Sequence, residues 1–370
     1  MTSGKIELPT PITAMFDIRY PIVLAGMAGG LTTPQLVAEV SNAGGLGILG
    51  AARLSPEQTG QQVRAIKSMT DKPFGVNFLI APPEPYKNQD IKTVQQTLNN
   101  FRKEMQIPKS SLENAMTTLP PSQLSEQLRV VFEEKVPILS FGLGDPSKWV
   151  SEAHASGMKI MTMITTVEEA QRVADIGVDV IVAQGAEAGG HRSTFKLLEN
   201  GEVPLVGTMA LVPQVVDAVG KVPVVAAGGI SDGRGIAAAL ALGASGVQMG
   251  TRFLVAKESG AFPAYKTRLL AAKETDTTVT RVFTGRPARS IVNKFIKEFE
   301  GIDPLPWPSQ GLIADDIFKN AWLKDNADFF PILAGQGLRL LKEQTRAKDI
   351  VEELVSQTIE SIDTLKMLQK

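Results

Sequence analysis

Cysteine is absent from the 370 residues. That excludes disulfides, thiolate nucleophiles, iron–sulfur clusters and cysteine-ligated zinc. It also fits a reducing compartment, so a cytoplasmic location is expected. Histidine is scarce: the chain has 2, His154 and His191, too few for a multi-histidine metal site, and no metal is expected. Neither sign of charge is in excess. Lys and Arg number 38 against 39 Asp and Glu, a formal net charge of −1, which favours neither nucleic acid nor an anionic membrane as a partner. No uncharged apolar run reaches the ~18 residues of a membrane span. The opening MTSGKIELPTPITAMF lacks the basic-then-apolar order of a signal peptide.

What is present is ordinary for a soluble globular protein, 43% hydrophobic and 21% charged. The length suffices for a sizeable core, in one large domain with additions or in two domains. Short apolar runs at 21–27, 46–50, 74–79, 138–143, 159–164, 180–184, 222–227 and 246–253 are rich in β-branched residues and apolar on both faces. That is how parallel strands buried on both sides read. Helix starts lie between them, with Ser, Thr or Asp before Pro at Thr33-Pro34, Ser55-Pro56 and Asp145-Pro146, and Thr166 before Val167-Glu168-Glu169. Eight strands in this rhythm predict a TIM (β/α)₈ barrel of the α/β class. An open doubly wound sheet is the rival. The barrel is preferred because the count reaches eight and glycines recur at several strand ends, as in GMAGG, AQGAEAGGH, AAGG and MGTR.

Two regions break the rhythm. Residues from about 80 to 125 form an insertion that starts on Ala81-Pro82-Pro83-Glu84-Pro85, a stiff exit, and continues as polar helical sequence. Residues 254–370 show no strand-like alternation, and their last stretch has apolar residues at helical spacing. The expected division is a barrel over 1–253 and a smaller, mostly helical second domain over 254–370 that packs on the barrel mouth, with its last helix able to return to the barrel.

Strand C-terminal ends face a barrel's active site, and phosphate sites often form after the seventh and eighth strands. Ala227-Gly228-Gly229 and Gln248-Met249-Gly250-Thr251 occupy those places. Glycine there lets backbone N–H groups approach phosphate oxygens, and Thr251 adds a hydroxyl. After the sixth strand, Gln184 leads through a glycine-rich turn to Gly189-Gly190-His191. An imidazole on that rim can act as a base near neutral pH. His154, inside a predicted helix, reads as structural, and Glu187 as a carboxylate capping nearby amides. Asn77 and Gln184 end strands with amides that both donate and accept, which suits a planar heterocycle and equally suits loop bonding.

Together PIVLAGMAGG, GVNF, AQGAEAGGH, AAGGI and MGTRF resemble the nitronate monooxygenase family, formerly called 2-nitropropane dioxygenases. The resemblance runs over the whole barrel and into the tail, at Phe283-Thr284-Gly285-Arg286-Pro287-Ala288-Arg289 and Ala334-Gly335-Gln336. AEAGGH-like turns also occur in flavin-dependent enoyl-acyl-carrier-protein reductases. The resemblance implies FMN bound non-covalently in the barrel under a smaller helical domain. It places Met27 against the isoalloxazine, Asn77 and Gln184 on the flavin or its ribityl chain, Gly189 and Gly229 against it by backbone, and Gln248, Met249, Gly250 and Thr251 at the phosphate. It makes His191 the catalytic residue. The activity implied is oxidation of alkyl nitronates by dioxygen to carbonyl compounds and nitrite, without a nicotinamide. Three rivals stay open: an NAD(P)H-dependent reductase of quinones or enoyl thioesters on the same scaffold, a flavin-free barrel binding a phosphorylated metabolite, and a structural protein. The oligomeric state is not legible.

Overall fold

In a computed structural model of the chain, residues 7–86, 90–110, 122–199 and 201–368 are described. Eight parallel strands form one sheet: β1 (Ile22–Leu24), β2 (Gly47–Gly50), β3 (Phe74–Leu79), β4 (Ile138–Gly142), β5 (Lys159–Ile164), β6 (Val180–Gln184), β8 (Val224–Ala227) and β9 (Gly246–Met249). Their order is β1-β9-β8-β6-β5-β4-β3-β2. Leu24 N–H donates to Leu46 O at 2.8 Å and Leu46 N–H donates to Ile22 O at 2.9 Å, so the two edges meet and the sheet closes as the expected (β/α)₈ barrel.

The strands alternate as a closed parallel sheet demands. Ile22, Leu24, Val76, Phe78, Leu139, Phe141, Ile181 and Val247 pack outward against helices. Val23, Ile48, Ile138, Met161, Val180, Val182 and Val225 pack inward. The N-terminal end of the interior is stoppered by Ile12, Phe16 and Ile18, the first two on the helix Pro11–Phe16. A Cβ at Gly246 would lie 2.4 Å from Ile12 Cδ1, so glycine is what lets this helix seat.

The tail carries strands that its sequence did not signal. It contains strands β10 (Thr277–Thr280) and β11 (Ala288–Ile291), which form an antiparallel sheet with the short β7 (Gly190–His191) in the order β10-β11-β7. Thr277 to Thr280 are all half-buried, so burial does not alternate and the sequence carries no period to read. The last helix, Ala347–Met367, lies on the barrel's flank. Ala347, Ile350, Val351, Leu354 and Val355 join the helix-facing core, between the helices Pro34–Asn42 and Gly233–Ala241. Gly233 permits backbone approach there, since a Cβ would lie 2.2 Å from Thr358 N.

The two irregular regions pack on each other. Val94, Leu98 and Phe101 of the insertion helix Ile91–Glu104 share a core with Phe283, Phe295, Phe299, Ile317, Phe318 and Phe329 of the tail. Arg102, fully buried, donates to Asp316 and to the Ile313 carbonyl. A buried guanidinium needs such partners, because an unpaired one would cost several kcal/mol.

Candidate active site

Backbone register places the mouth residues. Gly50, Asn77, Ser140 and Met161 stand in one row across β2 to β5. Gln184, Ala227, Gln248 and Val23 stand in another across β6, β8, β9 and β1. Met161, Val23 and Ala227 belong to the inward-facing core, and residues in register share a face. Asn77, Gln184 and Gln248 therefore point into the barrel. Met249 points the other way, into the helix-facing core, and its carbonyl accepts from Ala25 N–H at 3.0 Å. Its side chain is not at the mouth, because side chains alternate along a strand.

The three inward amides differ in what they have left to give. Asn77 Nδ2 donates to Ser140 Oγ at 2.9 Å. Gln184 Oε1 accepts from Ser193 N–H at 2.9 Å and its Nε2 donates to His191 O at 2.9 Å, so Gln184 chiefly ties the end of β6 to the strand that carries the histidine. Gln248 Oε1 is buried with no partner among the described residues. An orphaned buried acceptor costs about 1–3 kcal/mol and persists where a ligand completes it.

His191 sits half-buried on β7. Its backbone pairs with Ala288 of β11. Its ring Nε2 lies 2.8 Å from Thr284 Oγ1, and its ring meets Trp307 edge-on, centroids 5.5 Å apart. Burial, then the nearby cations Arg286 and Arg53, push the imidazole down to about 4, so it is neutral at physiological pH. Arg286, itself buried, donates to Glu84 Oε1 at 3.0 Å and to the Thr194 carbonyl. The insertion's first loop thereby reaches the site: Trp307 Nε1 donates to Ala81 O at 3.4 Å and Glu84 N–H to Trp307 O at 2.8 Å. Thr284, Arg286 and Trp307 did not stand out as site residues from the sequence. The first two lie in FTGRPAR, which had signalled only by resemblance.

The glycine turns converge beside this group. Gly228 and Gly229 take φ of 113° and 71°, left-handed values that glycine adopts without cost. A Cβ at Gly250 would lie 3.5 Å from Met27 Sδ, which brings the exits of β1 and β9 together. Thr251 Oγ1 accepts from Gly335 N–H at 3.0 Å. Gln336 N–H donates to Glu187 O at 2.9 Å. A Cβ at Gly189 would lie 2.5 Å from the Ala334 and Gly335 backbone. The tail segment 334–337 thus seats directly on the turns after β6, β8 and β9. Glu187 caps the helix Thr208–Val219: its carboxylate accepts from Thr208 N–H and Thr208 Oγ1. His154 Nε2 pairs with Asp179 on the exposed flank, away from the mouth.

A half-buried neutral imidazole, inward amides and left-handed glycine turns under a docked tail make a site for a small molecule. The family model for nitronate monooxygenase matches residues 10–357. The chain belongs to that family. It is 40% identical to a probable nitronate monooxygenase of Staphylococcus saprophyticus, over 96% of this chain and 99% of that one. It is 41% identical to one of Staphylococcus haemolyticus, covering 96% and 97%. Among solved structures, a nitroalkane oxidase of Streptomyces ansochromogenes superposes with a TM-score of 0.87 at 34% identity, covering 96% of this chain and 99% of that one. FabK of Thermotoga maritima superposes at 0.77 with 31% identity, covering 98% and 99%. Membership makes the chain a flavin-dependent oxidoreductase of the nitronate monooxygenase type.

Proposed function

We propose that the chain oxidises alkyl nitronates, and nitroalkanes after loss of their α-proton, with FMN and dioxygen, releasing a carbonyl compound and nitrite. The carrying observation is the neutral His191 held at the mouth by Thr284 and Trp307, beside a barrel interior that presents an unpartnered amide oxygen at Gln248. Family membership and the nitroalkane oxidase of Streptomyces ansochromogenes support the substrate class.

The residues fit FMN. Gly229, Gly250 and Thr251 would hold the phosphate by backbone N–H groups and a hydroxyl. Gln248, Asn77 and the remaining Gln184 amide hydrogen would meet the polar edge of the ring or the ribityl chain. Met27 and Gly189 would line its faces. Bound there, the flavin would accept the substrate's electrons. The chain's own part is positional and protonic. His191 takes the α-proton of a neutral nitroalkane, or hydrogen-bonds a nitronate that arrives ionised. Arg286 and Arg53 lower the energy of an anion beside the ring. Trp307 and the Ala81–Glu84 loop wall that side from water.

An NAD(P)H-dependent reductase of quinones or enoyl thioesters is the second reading, kept because FabK of Thermotoga maritima superposes over 98% of the chain. Anaerobic reduction separates the two. Bleaching of the bound flavin by propyl-1- or propyl-3-nitronate, and not by NADH or NADPH, is expected. Fast bleaching by either nicotinamide would overturn the proposal. We also propose a cytoplasmic location. Among the described residues no helix is long and apolar enough to cross a membrane.

A further inference from the structure

We propose that Thr284 is a positioning residue that fixes the tautomer of His191, keeping the ring proton on Nε2 and offering the Nδ1 lone pair to the substrate. The inference rests on the proposed function only in naming what Nδ1 meets.

Counting donors and acceptors assigns the tautomer. Thr284 Oγ1 lies 2.8 Å from His191 Nε2, and it can bond both the N–H and the carbonyl of Arg286, each at 3.4 Å. A hydroxyl has one hydrogen and two lone pairs. When Nε2 carries the proton, the hydroxyl accepts from Nε2–H and from Arg286 N–H and gives its own hydrogen to Arg286 O, so all three contacts are satisfied. When Nε2 is bare, the hydroxyl hydrogen turns to the ring, the Arg286 carbonyl loses its donor and one lone pair is unfilled. The first arrangement makes one more bond, so it wins.

The other ring nitrogen completes the case. Nδ1 bonds nothing among the described residues, and it is not among the buried atoms left without a partner; in a half-buried residue it is the nitrogen on the accessible side. The ring cannot readily exchange the two. Its backbone is held by the β7–β11 pairing, by Gln184 Nε2 on its carbonyl, and by Arg192 N–H on Pro287 O at 2.8 Å. Its edge abuts Trp307. The charged groups facing it are Arg286, paired with Glu84, and Arg53, paired with Asp315. Both cations oppose a second ring proton. A neutral ring has one donor and one acceptor, so the choice of nitrogen decides which end can serve as a base.

With 2 histidines in the chain, nitrogen NMR of the flavin-loaded protein labelled with ¹⁵N-histidine reads the tautomer directly. His154→Gln identifies the second set of signals. We expect His191 to show a protonated Nε2 and a bare Nδ1. Thr284→Val should mix the two tautomers and lower kcat/KM on a neutral nitroalkane about 10–100-fold, by analogy with the loss of an orienting partner from a metal-bound histidine. A preformed nitronate should be much less affected, and Thr284→Ser should restore both readouts. A wild-type His191 protonated on Nδ1 would overturn the proposal, as would a Val variant with unchanged tautomer and unchanged kcat/KM. Should Thr284→Val fail to fold, the wild-type and Ser spectra still decide. Should the protein not oxidise nitroalkanes at all, the tautomer stands or falls alone, so the two failures are distinct.

Discussion

At the N-terminal end of the barrel, Ile12, Phe16 and Ile18 press into Leu46, Ile48, Val180 and Val225, and the interior there is filled with hydrocarbon. At the opposite end, two to four strand positions further along the same walls, the inward residues are Asn77, Ser140, Gln184 and Gln248, and one amide oxygen has no partner among the described residues. The same alternation produces both layers, so geometry does not distinguish them. Chemistry does: the lower layer is hydrocarbon, whereas the upper one is lined by amides and a hydroxyl. Stability and function are therefore separable by depth in one barrel.

The separation can be broken from either side. The largest effect belongs to the mouth. His191→Asn should cut turnover of neutral nitroalkane by about 10²–10⁴-fold while leaving flavin bound, as steady-state rates and the visible spectrum would show. Equal turnover by variant and parent would remove His191 from the chemistry. Next is the stopper. Ile12→Ala, at a position with 0% exposure, should lower the free energy of unfolding by about 2–5 kcal/mol with kcat per folded molecule unchanged. A matching loss of kcat would mean that the two depths are coupled.

Protonation ranks third. An unfolded chain's histidine titrates near 6.5, while folded His191 is held down to about 4. Above 6.5 both states are neutral and the full stability is present. As pH falls from 6.5 toward 4 the unfolded state takes the proton and the folded state refuses it, so stability drops by up to about 3 kcal/mol. Denaturant unfolding at pH 7 and pH 4.5 should show this loss in the parent and a shallower one in His191→Asn. Equal slopes would place the titrating group elsewhere. The smallest effect is the most telling about depth. Gln248→Leu removes the orphan oxygen, so the flavin-free protein should gain about 1 kcal/mol of stability and hold flavin less tightly. A variant that loses stability without flavin would show that Gln248 belongs to the structural layer after all.

Much of this was legible in the sequence, and the physics says which part. Strands 74–79, 159–164 and 180–184 coincide with β3, β5 and β6, because a strand buried on both faces is a continuous apolar run between polar breaks. The run 246–253 overshoots: β9 ends at Met249, and Thr251–Leu254 is a helical turn. Only Gly250 separates them, and periodicity cannot divide segments this short. His191 and the glycine turns stood out as candidates because the chain has 2 histidines and its glycines cluster at strand ends. Thr284, Arg286 and Trp307 did not, since their place beside His191 depends on β11 pairing with β7, a contact across about a hundred residues that no local pattern encodes. The joint core of the insertion and the tail was hidden for the same reason. Phe101 and Phe295, with ring centroids 4.9 Å apart, each read alone as the apolar face of an ordinary helix.

The helix Ala347–Met367 has a bearing on how the molecule comes to exist. It occupies the flank between the helices Pro34–Asn42 and Gly233–Ala241, and Glu353 holds the buried Arg252 just past β9 at 2.6 Å. Everything between Val255 and Arg346 is therefore an excursion between the barrel's last strand and the helix that covers it. On the ribosome, the eight barrel strands emerge well before that cover does, and the flank between the helices Pro34–Asn42 and Gly233–Ala241 stays open meanwhile. Assembly of the barrel is thus tied to completion of the tail, and a nascent chain halted anywhere in the excursion presents a sticky seam to whatever chaperone attends it.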